Sequence, residues 1–311
     1  MSVTILTTSY KRPMLLKRLG EVIIPLINKL DGELKWKITV DDTVDTEAYK
    51  LVFKKIDQKI KNKDFITWSF QENIGKFKSL IKLLNEDLDT RWLVNIDDDD
   101  IIINYKFEEF LKKLDSIDAD VKAVLVPRLI LNISFYNFKF KKKKKLFSKF
   151  NNVKMSYFDF KNIFGDIDST IFLRKSNYKI NYFPEIGDDN FTAESLLWLQ
   201  AFTDNDLLLI NEYLIYSQYL TGGLTKSIKS KRVSNSTSAI VLYKKFLEYR
   251  KFSITKIYIK SLINYYRFNL HAKNKININK DNYANFGIRF LSLIFAKLMF
   301  FYDNLIVKGK S

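Results

Sequence analysis

The chain has 311 residues, with 52 Lys+Arg against 35 Asp+Glu and a formal net charge of +17. A hydrophobic fraction of 47% is enough for a folded core, and the absence of cysteine excludes disulfides, thiolate metal sites and a cysteine nucleophile. A single histidine, His271, excludes a His-cluster metal site and argues against a Ser-His-Asp triad, which leaves carboxylates, hydroxyls and cations for polar chemistry.

The apolar pattern predicts a strand over 3–8, then Lys11-Arg12-Pro13, then a helix with Pro13 at its start. A second strand over 36–40 ends in Asp41-Asp42, followed by a helix over 48–60 and a strand over 65–70. A helix over 77–84 leads to a strand over 92–96, which ends in Asp97-Asp98-Asp99-Asp100. A helix over 107–114 and one long strand over 121–131 complete an alternation that predicts an α/β fold with a mainly parallel sheet. In such sheets chemistry collects at the carboxyl ends of strands, and both acidic clusters lie there. Neither GxGxxG after the first strand nor GxxxxGK[ST] occurs, so a dinucleotide fold and a P-loop are not supported.

Further on, the pattern predicts strands over 169–174, 207–210 and 214–219, a helix over 191–202, and a turn at Thr221-Gly222-Gly223. Beyond Thr225 the chain is basic, Tyr-rich and helical over 239–270. A last helix over 288–307 is mostly apolar, with Arg289, Ser292, Ala296, Lys297, Asp303 and Asn304 inside an arc of about 140°, on which Leu293 and Phe300 intrude. One polar stripe suits a bilayer interface better than a bilayer centre. Packing on the protein's own core is an equal reading. No secretory signal is visible at the N-terminus.

The charge is unevenly placed. Residues 226–311 hold 18 Lys/Arg and 3 Asp/Glu, a net of +15. Residues 134–150 hold 7 Lys and no acid, and the remainder is mildly acidic at −5. The Lys141–Lys145 run also reads as a plain solvated loop.

Four adjacent carboxylates at a buried strand end need a cation or hydrogen-bond donors to stay ionised. A hard divalent ion, Mg2+ or Mn2+, takes oxygen ligands and binds phosphates as well. The alternative is an acidic loop at a helix start, where carboxylates favour the macrodipole.

Four segments occur in a telling order. The opening Val3-Thr4-Ile5-Leu6-Thr7-Thr8-Ser9-Tyr10-Lys11-Arg12-Pro13 resembles that of the family 2 glycosyltransferases. Thr39-Val40-Asp41-Asp42, Glu72-Asn73-Ile74-Gly75-Lys76 and Asn95-Ile96-Asp97-Asp98-Asp99-Asp100 resemble that family's Val-Asp-Asp, Asn-x-Gly and Asp-x-Asp segments. The stretches from Phe183-Pro184-Glu185 to Trp198 and from Tyr219 to Thr225 resemble its bacterial capsule and lipopolysaccharide subgroup. The resemblance covers residues 1–225.

It implies a GT-A fold over 1–225, with a basic helical region over 226–311 outside it. It implies an inverting, metal-dependent glycosyltransferase of the hexosyl or N-acetylhexosaminyl class. In that reading Asp42 contacts the nucleobase, in a pocket shared with Thr8, Ser9, Tyr10 and Arg12, and Lys76 reaches the base or the phosphates. Asp97 approaches the donor ribose and Asp98 the donor. Asp99, with Asp97, holds the Mn2+ or Mg2+ that bridges the diphosphate. Many relatives carry a Glu-Asp pair whose aspartate is the general base; here the pair is Glu194-Ser195, which leaves Glu194 as the candidate. Asp188 or Asp189 is the alternative, and Asp166 helps shape the acceptor site.

The implied partners are a nucleotide-sugar donor, UDP-linked, and a glycan or lipid-linked acceptor of surface-polysaccharide assembly. The implied place is peripheral, on the cytoplasmic face of the membrane, with the basic tail against anionic lipid. A nucleic-acid-binding protein using that tail is a competing class, but the acidic body argues against nucleic acid. A transferase without activity that serves assembly is a third.

Overall fold

A computed structural model describes all residues except 1, 45, 132–144, 178–188, 190, 205, 219–223, 250–254, 274–282 and 309–311. Asp188, Phe183-Pro184-Glu185, the turn Thr221-Gly222-Gly223 and most of the Lys141–Lys145 run lie outside the described residues. The chain divides into two compact units. One comprises Met1–Met155, Asp166–Ile180 and Asp204–Leu220; the other comprises Ser156–Gly165, Asn181–Thr203 and Thr221–Ser311.

The first unit begins with β1 (Val3–Ser9), α1 (Pro13–Leu30), β2 (Leu34–Val40), α2 (Thr46–Asp57) and β3 (Ile66–Phe70). It continues with α3 (Lys76–Asn85), β4 (Trp92–Asn95), β5 (Ile101–Ile102) and α4 (Asn104–Leu114). Then come β6 (Ala123–Pro127), β7 (Leu129–Leu131), β8 (Val153–Met155), β9 (Ser169–Arg174), β10 (Leu207–Leu209) and β11 (Ile215–Gln218). Among the described residues the main sheet has the order β3-β2-β1-β4-β9-β6-β10-β8. Its β3-β2-β1-β4 half is parallel, and β9 enters antiparallel to both β4 and β6. A smaller sheet pairs β5, β11 and β7.

Local sequence explains these elements. Pro13 occupies the first turn of α1, where its missing N–H costs nothing. Leu16, Leu19, Ile23 and Ile27 then recur at helical spacing and are buried. In β2 the alternation of Leu34, Trp36 and Ile38 with Lys35 and Lys37 buries one face of the strand. Every residue of β1 is buried, as befits a strand in the middle of a sheet covered on both faces. Phe172 of β9 packs 5.0 Å from Phe110 and 6.0 Å from Phe107 of α4, ring centre to ring centre. Each such ring stabilises the core by about 1.5–3 kcal/mol through burial alone.

The long strand expected over 121–131 is corrected. The apolar run over 121–131 is not one strand but two, in different sheets. Pro127 cannot donate to a continuing ladder, and the Arg128 amide leaves it to bond Asp168 O at 3.1 Å. The break points the Arg128 side chain at the acidic cluster.

The second unit is helical: α5 (Tyr157–Phe164), α6 (Ser195–Ala201), α7 (Leu224–Ser234), α8 (Ser236–Tyr249), α9 (Lys256–His271) and α10 (Phe286–Lys308). The helix expected over 191–202 is shorter, because Phe191 and Thr192 are bonded instead to Asn235, just before α8, and to Ser238 of α8. Phe191 N donates to Asn235 Oδ1 at 3.1 Å and Thr192 Oγ1 to Ser238 Oγ at 3.0 Å. The helical character expected over 239–270 takes the form of two helices, Ser236–Tyr249 and Lys256–His271. The second is started by Thr255, whose Oγ1 accepts from Tyr258 N at 3.3 Å.

Candidate functional site

The order of the main sheet reverses at β1, which has β2 on one side and β4 on the other. At such a switch point the carboxyl ends of the strands diverge and leave a crevice. Ser9, Asp41-Asp42 and Asp97 to Asp100 lie at those ends. Thr7 joins the three strands: its Oγ1 donates to Ile96 O and accepts from Trp36 Nε1, both at 2.9 Å.

Asp41 and Asp42 are both buried, but they do different work. Asp41 accepts from Gln71 Nε2 at 2.9 Å, Ile74 N at 3.0 Å and Gly75 N at 2.9 Å, and so shapes the loop before α3. That loop needs a glycine: Gly75 has φ 85 and ψ 150, a region closed to other residues. Asp42 Oδ1 accepts from Val44 N at 2.9 Å. Asp42 Oδ2 is buried and has no hydrogen-bond partner among the described residues. A buried carboxylate oxygen in that state costs free energy until a donor reaches it.

The Asp97–Asp100 run is a tight turn that sorts its carboxylates alternately. Asp98 and Asp100 point inward, with side chains 5% and 2% exposed, whereas Asp97 and Asp99 remain 23% and 22% exposed. Asp98 Oδ2 accepts from Ser9 Oγ at 2.7 Å, and its Oδ1 lies 3.3 Å from Arg12 Nη1. Asp100 lies 2.9 Å from Arg128 Nη1 and accepts from Asp97 N at 3.0 Å. Asp97 Oδ2 accepts from Lys76 Nζ at 2.8 Å, and Asp99 Oδ2 from Arg12 Nη1 at 3.2 Å. Arg18 Nη2 donates to Asp99 O at 2.9 Å, fixing the backbone of the turn.

These partners set the ionisation of the cluster. Burial pushes Asp98 up to about 6, against the pull of Ser9 and Arg12. Burial also pushes Asp100 up to about 7, against Arg128. Asp99 is raised by burial and by the neighbouring Asp97 charge. Partial burial opposes the ionisation of Asp97 as well, yet Lys76 and Arg128 outweigh it and hold Asp97 at about 2.

Asp98 and Asp100 therefore add stability that is complete below the ordinary carboxylate range and is lost as pH rises through 6 and 7. The contribution of Asp97 is present above that range and is lost only as pH falls toward 2. Acidifying the metal-free protein from about pH 7.5 to about 5.5 is expected to raise its melting temperature. Asp98→Asn is expected to remove about one proton's worth of that slope. An unchanged slope in thermal scans of the variant would show that Asp98 does not titrate in this window.

The other residues expected at the site lie as follows. Thr8 and Ser9 are buried at the end of β1, and Tyr10 is 42% exposed. Lys11, between Tyr10 and Arg12, has φ 53, a strained value for a lysine. Arg12 and Lys76 are held by Asp98, Asp99 and Asp97, so the cations and carboxylates form one network. Glu194 and Asp189 belong to the second unit. Glu194 precedes α6 and its carbonyl accepts from Trp198 N at 3.2 Å. Asp189 Oδ2 accepts from Ser238 N at 2.6 Å in the first turn of α8, where a carboxylate favours the helix dipole.

Sequence reasoning missed Arg128 and Tyr49. Arg128 is 10% exposed and ties the cluster to β9, its Nε donating to Thr170 Oγ1 at 2.8 Å. Its only local signal is the Pro127 before it. Tyr49 OH lies 2.9 Å from Ser9 Oγ and accepts from Arg12 N at 2.8 Å, and so buttresses the loop after β1. Within α2 it looks like any core aromatic.

Among the described residues no three His, Asp or Glu side chains converge as a metal group. Two half-open carboxylates, Asp97 and Asp99, do fit a hard cation that takes its remaining oxygens from a ligand's phosphates and from water.

The sequence matches no family model. It matches no curated protein. Its fold is similar to that of solved structures. The crystal structure of S. aureus TarS 1-349 has 14% identity and a TM-score of 0.52, covering 97% of this chain and 89% of that one. TarS 1-349 in complex with UDP-GlcNAc has 12% identity and a TM-score of 0.52, covering 86% of this chain and 81% of that one. The mannosyltransferase PcManGT from Pyrobaculum calidifontis, in complex with GDP-Man and Mn2+, has 14% identity and a TM-score of 0.50, covering 97% and 87%. The chain has the GT-A fold of these proteins, a mixed α/β fold with a central sheet and a helical C-terminal part.

Proposed function

We propose that the chain is an inverting, metal-dependent glycosyltransferase that moves a sugar from a nucleotide-sugar donor to a glycan or lipid-linked acceptor in surface-polysaccharide assembly. The observation that carries this reading is the Asp42 carboxylate, buried at the carboxyl end of β2 with an oxygen that lacks a donor among the described residues. A nucleobase N–H supplies that donor. The fold supports the assignment, since similar structures hold UDP-GlcNAc or GDP-Man with Mn2+.

In this reading Thr8, Ser9, Tyr10 and Arg12 line the base pocket with Asp42, and the donor is UDP-linked, of the hexosyl or N-acetylhexosaminyl class. Asp97 orients the ribose and Asp99 holds the metal, with Asp98 and Lys76 completing the donor side. A divalent cation bound there supplies charge neutralisation for the departing diphosphate. Asp98 and Asp100, tied to Ser9, Arg12 and Arg128, keep the turn in one shape before the donor arrives. Glu194 takes the proton of the attacking hydroxyl. Asp189, one of whose oxygens accepts from the Ser238 amide, is the alternative. Residues 1–225 form the transferase part and 226–311 a region at the cytoplasmic membrane face, where anionic headgroups meet its basic charge.

The test is a panel of nucleotide-sugars with and without Mn2+, reading release of the nucleoside diphosphate. Metal-dependent release from at least one donor is expected. Failure of every common donor with metal present would end the transferase reading. With an acceptor in hand, Glu194→Gln is expected to slow transfer about 10²–10⁴-fold while leaving donor affinity nearly unchanged. Transfer at the wild-type rate would remove Glu194 from the mechanism.

A further inference from the structure

The C-terminal helix α10 leaves most of its apolar surface uncovered. Its fully buried residues are small or polar, Ser292, Ala296 and Asp303, with Ile288 and Leu293 half-buried on the unit's core and Phe300 4.5 Å from the His271 ring. Asp303 is held by α9, with Arg267 Nε donating to its Oδ2 at 2.7 Å and His271 Nε2 lying 3.0 Å from the same oxygen. Arg267 also donates to Asn264 Oδ1 at 3.0 Å, so the buried guanidinium is bonded on two sides. The apolar side of the helix faces outward. Phe290, Leu291, Ile294, Phe295, Leu298 and Leu305 are between 41% and 71% exposed. At 100° per residue they fall within an arc of about 140°, over a length of about 22 Å.

A helix covering its own core places its apolar stripe inward. Here the buried triad prevents that. Rolling α10 by half a turn would cover the leucines but expose Asp303 and leave Arg267 buried without its carboxylate, a costly state. The outward face is thus a built feature of the unit. Contiguous exposed apolar residues of this kind mark an interaction surface rather than scattered exposure.

We propose that this face of α10 lies in the surface of an anionic lipid bilayer, inserting its apolar arc among the headgroups and upper acyl chains. No helix among the described residues is long and apolar enough to cross a membrane, which leaves the interfacial mode for α10. Charge selects the occupant. Residues 226–311 carry 18 Lys/Arg against 3 Asp/Glu, so a second copy docked here would bring two strongly basic segments together. An anionic lipid surface is complementary to the same segment. Phenylalanine and leucine on the arc are the side chains that an interfacial helix buries at the headgroup–acyl boundary. The inference deepens the membrane-surface part of the proposed function and rests on it, but it names the apolar contact that charge alone does not provide.

The test uses the full chain and flotation with phosphatidylcholine vesicles, with and without phosphatidylglycerol. Binding to the phosphatidylglycerol vesicles is expected, weakening as salt rises. The double substitution Ile294→Glu with Leu298→Glu is expected to lower partitioning about a hundredfold. Both sites are exposed, so thermal unfolding and donor hydrolysis are expected to stay unchanged. No binding to anionic vesicles, or equal binding by the double variant, would overturn the proposal. So would a dimer in sedimentation equilibrium that the same substitutions dissociate, since it would give the face to a second copy. Donor hydrolysis without vesicle binding defeats this inference alone; vesicle binding without hydrolysis of any donor defeats the transferase reading alone.

Discussion

Asp99→Ala is expected to reduce metal-dependent release of nucleoside diphosphate about a thousandfold. Asp99 is one of two carboxylates in the turn still open to a ligand, with 22% of its side chain exposed beside Arg12. The same substitution removes a carboxylate whose ionisation burial and Asp97 already oppose. Folding stability should therefore hold or rise slightly while activity falls. Measuring melting temperature together with donor hydrolysis separates the two effects. A variant that hydrolyses donor at the wild-type rate would show that the ligand's phosphates are handled elsewhere. Loss of stability in parallel with activity would instead make Asp99 a structural residue.

The second large effect concerns stability. Arg128→Leu leaves Asp100, 2% exposed, without its cation, and breaking a buried pair in this way costs about 3–5 kcal/mol. For a chain of this size that lowers the melting temperature by roughly 10 °C. The loss should be largest near pH 8 and shrink toward pH 5.5, because Asp100, raised to about 7 by burial, takes up a proton over that range. Adding Asp100→Asn to Arg128→Leu should recover much of the loss, since a neutral amide still accepts from Asp97 N. Calorimetry of the single and double variants at two pH values checks this. Equal stability of Arg128→Leu and wild type near pH 8 would mean that the pair carries no net stabilisation.

Part of this arrangement was legible in the chain order. The period-two run of β2, the Pro13 start of α1 and the strand at Ser169–Arg174 are written in local spacing, which burial on one face requires wherever the element ends up. The same spacing put Asp41-Asp42 and the Asp97–Asp100 run at strand ends. Pro127 divided a run that looked continuous, because an apolar sequence does not reveal which sheet its second half joins.

The division of labour inside the acidic run was not legible. Four identical residues in sequence give no sign that Asp98 and Asp100 turn inward while Asp97 and Asp99 stay open. That depends on Ser9, Arg12, Lys76 and Arg128, which arrive from other elements far along the chain. The polar stripe of α10 was visible as a period, but a period does not say which face is covered. Asp303 turned inward because Arg267 and His271 of α9 wait for it.

The sequence by itself determined where the chemistry-bearing carboxylates fall along the alternating strands and helices, and where the excess positive charge is carried. Both follow from chain order and side-chain periodicity, which survive any packing. Only the tertiary structure decided which carboxylates are neutralised, which oxygen of Asp42 is left waiting for a donor, and which side of the last helix meets the surroundings. Burial and ion pairing are properties of neighbours in space, and those neighbours come from distant parts of the chain.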